Sequence, residues 1–210
     1  MNIPGKSSRP YATEKRDAKA AETRARLLDA ALVILRESGG QALSLDATAR
    51  AAGVTRLTVY NQFGSRNGLL EAAFDAVAEQ GNLASLAEAM ATPDPRAALA
   101  RVVGIFCDFW MAHDGLGGIF AAAAMDAELG AALAARNERR RALLGVLVDR
   151  QGIAVGRARA DAVDLLFTLT SFATFTSLRG DQRDGAAVCT LLLPLCDRIL
   201  AGQADPAQGR

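Results

Sequence analysis

The chain has 210 residues, of which 50% are hydrophobic, 22% are charged and 5% are aromatic, and its formal net charge is +1. This length provides enough apolar surface for one large domain or two small ones. Three cysteines, an odd number in apolar surroundings, argue against a disulfide framework, and the single histidine, His113, leaves little for a zinc cluster. Abundant alanine and few β-branched runs favour an all-helical fold.

The net charge hides an uneven distribution along the chain. Residues 1–66 carry 11 Lys and Arg against 6 Asp and Glu, whereas residues 67–210 carry 13 against 17. A basic N-terminal part on an acidic remainder suits phosphate binding at one end only.

Neither a targeting segment nor a membrane span is visible in the sequence. The first thirty residues lack the apolar stretch of a signal peptide. No window approaches the roughly 20 apolar residues needed to span a bilayer. We therefore expect a cytoplasmic protein with no membrane partner.

The N-terminal segment, residues 1–20, is polar and basic, and it predicts a flexible arm. Two roles stay open for this arm: a solubilising tail, or an extension that contacts phosphates or the minor groove. An amphipathic helix is predicted next, over residues 22–38, and Gly39 and Gly40 are expected to end it.

Residues 44–63 predict two short helices joined by a tight turn at Gly53. Ser44 and Thr55 stand where N-caps belong, because each hydroxyl can accept a free N–H at a helix start. Glycine adopts positive φ without strain, which suits Gly53 to the corner. Polar side chains then follow on the second helix, as in a helix-turn-helix whose second helix enters the DNA major groove.

The residues from Ala51 to Arg66, followed by Leu69 and Leu70, resemble the N-terminal signature of TetR-type transcriptional regulators. The resemblance covers about residues 22–80. Two positions depart from the family pattern. Thr48 stands where a buried Ile or Val is usual, and Leu57 stands where a small or polar residue is frequent. An apolar side chain at Leu57 would suit a thymine methyl group.

The resemblance and the side-chain chemistry together predict the DNA contacts. Arg56 is the candidate for guanine, through paired bonds to O6 and N7, and Asn61 could read adenine or a phosphate. The expected base contacts are Arg56, Leu57 and Asn61. The expected phosphate contacts are Ser44, Thr55, Thr58, Tyr60 and Arg66. Tyr60 has an alternative, in which its ring packs between helices and only its hydroxyl reaches DNA.

The sequence also predicts helices separated by short breaks in the rest of the chain. Ser65 is expected to cap a helix that runs to about Gln80, and residues 81–95 are expected to form a connection. Helices are then predicted over 95–112, 118–125, 126–151, 161–178 and 183–200. Pro194 predicts a kink or a local break in the last of these. Four arginines on the long helix predict a solvated face, with a second nucleic-acid site as the alternative: Arg136, Arg139, Arg140 and Arg141.

The last two predicted helices are too apolar to be one-sided surface helices, so they need cover from a partner subunit or from a monomer core. The resemblance implies a homodimer through these two helices. It also implies a small-molecule effector bound in the larger helical domain, whose identity the sequence leaves unknown. The candidate pocket residues, for which core packing is the alternative, are Phe106, Phe109, Trp110, His113, Phe120, Met125, Phe167, Phe172 and Phe175.

We therefore predict an all-α protein of about nine helices, with a three-helix helix-turn-helix domain followed by a helical ligand-binding and dimerisation domain. The expected divisions are 1–20 (arm), 21–66 (DNA-binding), 67–203 (ligand-binding and dimerisation) and 204–210 (frayed tail). The predicted function is a ligand-released repressor that binds a palindromic double-stranded DNA operator. No catalytic residue, metal site or cofactor is predicted, since only His113 could serve a Ser-His-Asp arrangement and no motif surrounds it. The alternative is a small-molecule-binding or protein-interaction module whose helix-turn-helix is structural only.

Overall fold

Eleven helices make up the described part of the chain. The computed structural model describes residues 9–38, 42–113, 116–152 and 156–202, and it contains no strand within these ranges. The helices are α1 (Arg9–Ser38), α2 (Leu45–Ala52), α3 (Arg56–Phe63), α4 (Arg66–Gln80), α5 (Ser85–Met90), α6 (Pro95–Ala112), α7 (Gly117–Ala123), α8 (Ala127–Arg150), α9 (Arg157–Leu169), α10 (Phe172–Arg179) and α11 (Gly185–Gly202). The all-α prediction is confirmed, although eleven helices replace the expected nine.

The helices form two compact units. The first unit comprises Met1–Ala76 and Gly117–Leu129, and the second comprises Val77–Leu116 and Gly130–Arg210. In the first unit α1 packs against α2 and α7, and α2 packs against α3. Fully buried leucines at its centre include Leu27, Leu35, Leu69 and Leu70. Burial of such side chains is the main favourable term in folding, and short helices such as α2 and α3 depend on tertiary packing for their stability.

The first helix is longer than the sequence predicted. It begins at Arg9 rather than at residue 22, so most of the segment expected to be a flexible arm is helical. Ala, Lys and Glu dominate residues 12–22 and all have high helix propensity, which explains the extension. Side chains from Glu14 to Glu22 are exposed. The predicted end at Gly39 and Gly40, residues 1–8 and the tail 204–210 lie outside the described residues.

The second unit is built around α6, which packs against α5, α10 and α11. Its predicted bounds are confirmed, with Pro95 in the first turn and Asp94 as the N-cap that accepts N–H bonds from Arg96 and Ala97. Val102, Val103 and Phe106 point into the core of this unit. All three cysteines are free, as the sequence predicted.

Three predicted elements of the second unit need correction. The expected connection over 81–95 contains α5, because strong helix formers lie between Gly81 and Pro93. The single helix expected over 161–178 is interrupted after Leu169, and Ser171 caps a new helix. The last helix begins at Gly185 rather than at residue 183, and it continues through Pro194 without the break that was one of two expectations there.

Within the described residues, no single helix is long and apolar enough to cross a membrane. The pair α7 and α8 meets that criterion by length and composition, but only as a bent pair.

Candidate nucleic-acid interface

The turn between α2 and α3 has the predicted geometry. Ser44 Oγ accepts the Ala47 N–H at 3.0 Å, and Thr55 Oγ1 accepts the Thr58 N–H at 3.2 Å. Gly53 has φ +66°, a left-handed conformation that favours glycine, and its N–H donates to the Arg50 carbonyl. Both predicted N-caps and the glycine corner are therefore confirmed, and they fix the start of α3.

The second helix of this motif, α3, exposes half of its side chains. Val59 is its one buried residue, whereas the exposed fraction of Leu57 is 65% and that of Tyr60 is 54%. Arg56 and Asn61 are exposed as well, so the structure places all the predicted base-contact side chains at the surface. An eight-residue helix with exposed apolar groups and no acidic residue is suited to a negatively charged partner.

Arg56 is held loosely. Its Nε lies 3.3 Å from an Asp46 carboxylate oxygen, and both side chains are more than half exposed. Exposed ion pairs of this kind contribute little free energy, about 0–1 kcal/mol. The guanidinium can therefore leave Asp46 at small cost and turn to another acceptor.

Three of the four hydroxyls predicted to bind phosphate already make hydrogen bonds at the N-caps of α2 and α3. Thr55 Oγ1 and Thr58 Oγ1 lie 2.9 Å apart, so one donates to the other, and Ser44 Oγ caps α2. A hydroxyl that accepts a backbone N–H keeps its own hydrogen for a further acceptor. Capping and phosphate binding are therefore compatible at Ser44, and at whichever threonine hydroxyl does not donate to the other.

Residue Arg24, which the sequence did not single out, anchors the end of α3. Its Nη1 donates to the Gln62 carbonyl at 3.1 Å, and its guanidinium lies 4.6 Å from the centroid of the Phe63 ring. The hydrogen bond to this carbonyl and the cation–π contact together fix α3 against α1. No sequence signal marked this residue, because α1 carries other arginines at helical spacing.

Arg66 lies in a setting that the sequence did not predict. Its Nε donates to the Leu43 carbonyl at 2.9 Å, its guanidinium forms ion pairs with Asp126 and Glu128, and its side chain is 25% exposed. Burial by itself lowers the pKa of Arg66, but the two carboxylates outweigh that effect and hold the pKa above its ordinary value. The phosphate contact of Arg66 remains a prediction. The contacts seen here connect the start of α4 to Leu43, Asp126 and Glu128 within the first unit.

The predicted effector residues are divided between the two units. Phe120 and Met125 belong to the first unit, whereas the other seven lie in the second. Phe106, Phe109, Trp110, His113 and Phe175 are buried there. Trp110 makes an edge contact with Phe109, at 4.6 Å between centroids, and another with Phe172, at 5.6 Å. His113 Nδ1 lies 2.9 Å from the Phe109 carbonyl, which makes this ring part of the packing.

An open groove between α8 and α9 contains none of these residues. Four small or apolar residues and four charged ones line it: Glu138, Arg141, Ala142, Gly145, Arg159, Ala160, Val163 and Asp164. Both lining arginines are paired, Arg141 with Asp164 of the lining and Arg159 with Asp149 outside it. Their pairing suits a surface groove better than an apolar ligand pocket.

The sequence-based expectation for one residue near the aromatic cluster was wrong. Arg140 was expected on a solvated face, but it is half-buried, and its Nη1 donates to the Thr170 carbonyl at 2.6 Å. The expectation failed because the helical spacing of Arg136, Arg139, Arg140 and Arg141 covers more than one face of α8. Only the packing of α6 and α9 could identify which arginine turns inward.

Comparison with known proteins shows that part of the first unit is similar to bacterial regulatory proteins. The model for bacterial regulatory proteins of the tetR family matches residues 27–73. The HTH-type transcriptional regulator AlkX of Mycobacterium tuberculosis is 44% identical over 62 residues, which are 30% of this chain. The match spans 28% of the length of that curated relative.

Solved structures extend the likeness of fold to most of the chain. A TetR-like transcriptional regulator from Rhodococcus sp. RHA1 superposes with a TM-score of 0.65 at 24% identity, covering 86% of this chain and 96% of the other. A TetR-family regulator structure from Syntrophomonas wolfei gives a TM-score of 0.69 at 15% identity, with 87% and 96% covered. The helical second unit is thus part of the same overall fold.

Proposed function

We propose that the chain is a repressor of the tetR family that binds a palindromic operator as a homodimer and is released by a small molecule, because residues 27–73 match the model of that family. The observation that supports this most is the surface of α3. Its N-terminus is fixed by Thr55 and its C-terminal end by Arg24. The side chains proposed to contact bases face solvent. A rigid helix with free polar and apolar side chains is what direct readout in the major groove requires.

In this proposal the side chains of α3 divide by chemistry. Arg56 donates to guanine O6 and N7, Leu57 contacts a thymine methyl group, and Asn61 reads adenine or a phosphate. The phosphate contacts come from the hydroxyls of Ser44, Thr55, Thr58 and Tyr60. Phosphate contacts fix the register of the helix, and base contacts supply the sequence preference.

The dimer interface in this proposal lies on the last helices. Leu191 and Leu195 are one turn apart on α11 and are 44% and 46% exposed, while Leu165 on α9 is 48% exposed. The helices α9 and α11 pack against each other, and in this proposal their exposed leucines form one apolar surface. A second copy of the chain would bury this surface in a twofold interface. Two recognition helices about 34 Å apart would then reach successive major grooves.

Release by an effector requires only a difference in affinity between two states. A molecule that binds the DNA-incompetent arrangement better than the competent one shifts the population toward release. The buried aromatic cluster around Trp110 is the place in the second unit where a mostly apolar molecule would find contacts.

Footprinting on the DNA that flanks the gene tests the proposal. We expect protection of two half-sites of related, inverted sequence, with centres 10 to 10.5 base pairs apart or a multiple of that spacing. Protection of a single unsymmetrical site would contradict the homodimer. Absence of protection on any genomic fragment would contradict the DNA-binding function itself.

A further inference from the structure

The break between α9 and α10 leaves one carbonyl oxygen without its helical partner. In a continuous helix the Thr170 carbonyl would accept the N–H of Thr174. That N–H donates instead to Ser171 Oγ at 3.1 Å, because Ser171 caps α10. The Thr170 carbonyl accepts two other donors, Trp110 Nε1 at 3.0 Å and Arg140 Nη1 at 2.6 Å. The break therefore brings a tryptophan and an arginine to the same oxygen.

The guanidinium of Arg140 is surrounded by aromatic rings rather than by carboxylates. Its Cζ lies 4.1 Å from the centroid of Phe167 and 5.9 Å from that of Phe106. Its Nε is buried and has no hydrogen-bond partner among the described residues. Burial lowers the pKa of Arg140 to about 10, and the positive charge of Arg141 adds to that effect. The group is still cationic at neutral pH, and no described carboxylate neutralises it.

The neighbouring arginine shows that this arrangement is unusual. Arg141 also lies over the Phe167 ring, at 4.3 Å, but it forms ion pairs with Asp164 and Glu138. Removing a cation from water without a counter-charge costs more free energy than doing so with one, so the more buried arginine should be the paired one. The opposite is observed. An anion that is not part of the chain would remove the discrepancy.

We propose that Arg140 is the anchor for the carboxylate of an amphipathic effector whose apolar part lies against Phe106, Phe167 and Trp110. This inference rests on the proposed function, in which the second unit binds the effector. A guanidinium offers two parallel N–H donors that match a carboxylate. The aromatic surroundings favour a weakly hydrated monoanion with an apolar body over inorganic phosphate. Aromatic rings alone would also attract an organic cation, but the charge of Arg140 repels one.

The single tryptophan makes the site directly observable. Trp110 is the only tryptophan of the chain, so intrinsic fluorescence reports on this cluster alone. Three probes share one apolar body and differ in the head group: 4-phenylbutyrate, 4-phenylbutan-1-ol and 4-phenylbutylamine. We expect a saturable fluorescence change with the acid, roughly tenfold or more weaker binding of the alcohol, and still weaker binding of the amine. Equal binding of acid and alcohol, or no saturable response to the acid, would overturn the proposal.

Two variants localise the effect. Arg140→Met keeps an unbranched side chain and removes the charge, and we expect it to abolish the difference between acid and alcohol. Arg139→Met removes the same charge from the preceding residue of α8, which is exposed, and we expect it to leave the difference unchanged. If Arg140→Met bound the acid as tightly as the unsubstituted protein does, the proposed role of Arg140 would be overturned. If Arg140→Met fails to fold, the comparison of the three probes on the unsubstituted chain still tests whether the site prefers a carboxylate.

The experiment separates this inference from the proposed function. Probe binding is measured without DNA, and operator binding by the unliganded protein is measured without probe. Failure of the carboxylate anchor would leave operator binding intact. Conversely, a protein that binds the acid through Arg140 but binds no DNA would contradict the regulator function and leave the anchor standing.

Discussion

Arg66 and Asp126 form an ion pair inside the first unit, between the first residue of α4 and the residue that precedes α8. The side chain of Asp126 is 8% exposed, and its Oδ1 also accepts the Leu129 N–H at 3.0 Å. Burial alone would raise the pKa of Asp126, but the bonds from Leu129 and Arg66 outweigh it and hold the pKa below its ordinary value. The charged form of this carboxylate is therefore part of the folded structure.

We predict that Asp126→Asn destabilises the protein by about 1–2 kcal/mol at neutral pH, because a charged hydrogen-bond acceptor of Arg66 is lost while Glu128 remains. The pKa of Asp126 is lower in the folded state than the roughly 3.9 expected for the unfolded chain. Its contribution is thus complete above that value and is lost as the pH falls through the folded pKa. Urea unfolding from neutral to acid pH should show the gap between the two proteins closing below about pH 4. A gap that stays constant down to the lowest pH would contradict the prediction.

For Arg66 itself, we predict that replacement by Ala lowers the affinity for all DNA sequences without changing the salt dependence. The physical reason is that its guanidinium already binds the Leu43 carbonyl and the carboxylates of Asp126 and Glu128. The substitution therefore shifts α4 and removes no phosphate contact. The measurement is the slope of log K against log salt concentration. A slope that flattens by about one unit would restore the phosphate contact predicted from the sequence.

Thr48 supplies a prediction about stability. Its side chain is fully buried in α2, and its hydroxyl has no hydrogen-bond partner among the described residues. We predict that Thr48→Val, which has nearly the same shape, raises the free energy of unfolding by about 1 kcal/mol, because an unsatisfied hydroxyl is replaced by a methyl group. Thermal unfolding of both proteins measures this. A lower melting temperature for the variant would indicate a partner for the hydroxyl.

Leu195 tests the proposed dimer interface. We predict that Leu195→Glu converts a dimer to a monomer, because the substitution places a charge in an apolar twofold surface. Val33→Glu is a matched control, since Val33 is also 46% exposed but lies on α1 in the first unit. Sedimentation at several protein concentrations gives the oligomeric state. A dimer that survives Leu195→Glu, or one that only Val33→Glu disrupts, would place the interface elsewhere.

The helix-turn-helix could be predicted from the sequence because its determinants are local. Ser44, Gly53 and Thr55 act on residues no more than four positions away, and their types are dictated by capping and by positive φ. The bounds of α6 followed from Pro95 in the same way. Local rules of this kind need no knowledge of the tertiary structure.

Features that depend on distant residues could not be predicted. Arg66 meets a carboxylate 60 positions later, and Arg140 meets a carbonyl 30 positions later. Ser171 is a good N-cap, but Asp161 to Leu178 has the apolar content of one helix, so periodicity concealed the break. The extension of α1 to Arg9 was missed because solvent-exposed helix formers carry no hydrophobic period.

Sequence-specific readout by α3 is the central claim, and the contribution of Arg56 tests it most directly. Binding to a footprinted half-site palindrome and to a scrambled duplex of equal length should be compared across a salt series, for the unsubstituted protein and for Arg56→Ala. We predict salt-dependent binding with a strong preference for the palindrome, and a loss of about 1–3 kcal/mol with relaxed preference at one base pair in Arg56→Ala. Equal affinity for both duplexes, or a preference that Arg56→Ala leaves intact, would contradict readout by this helix.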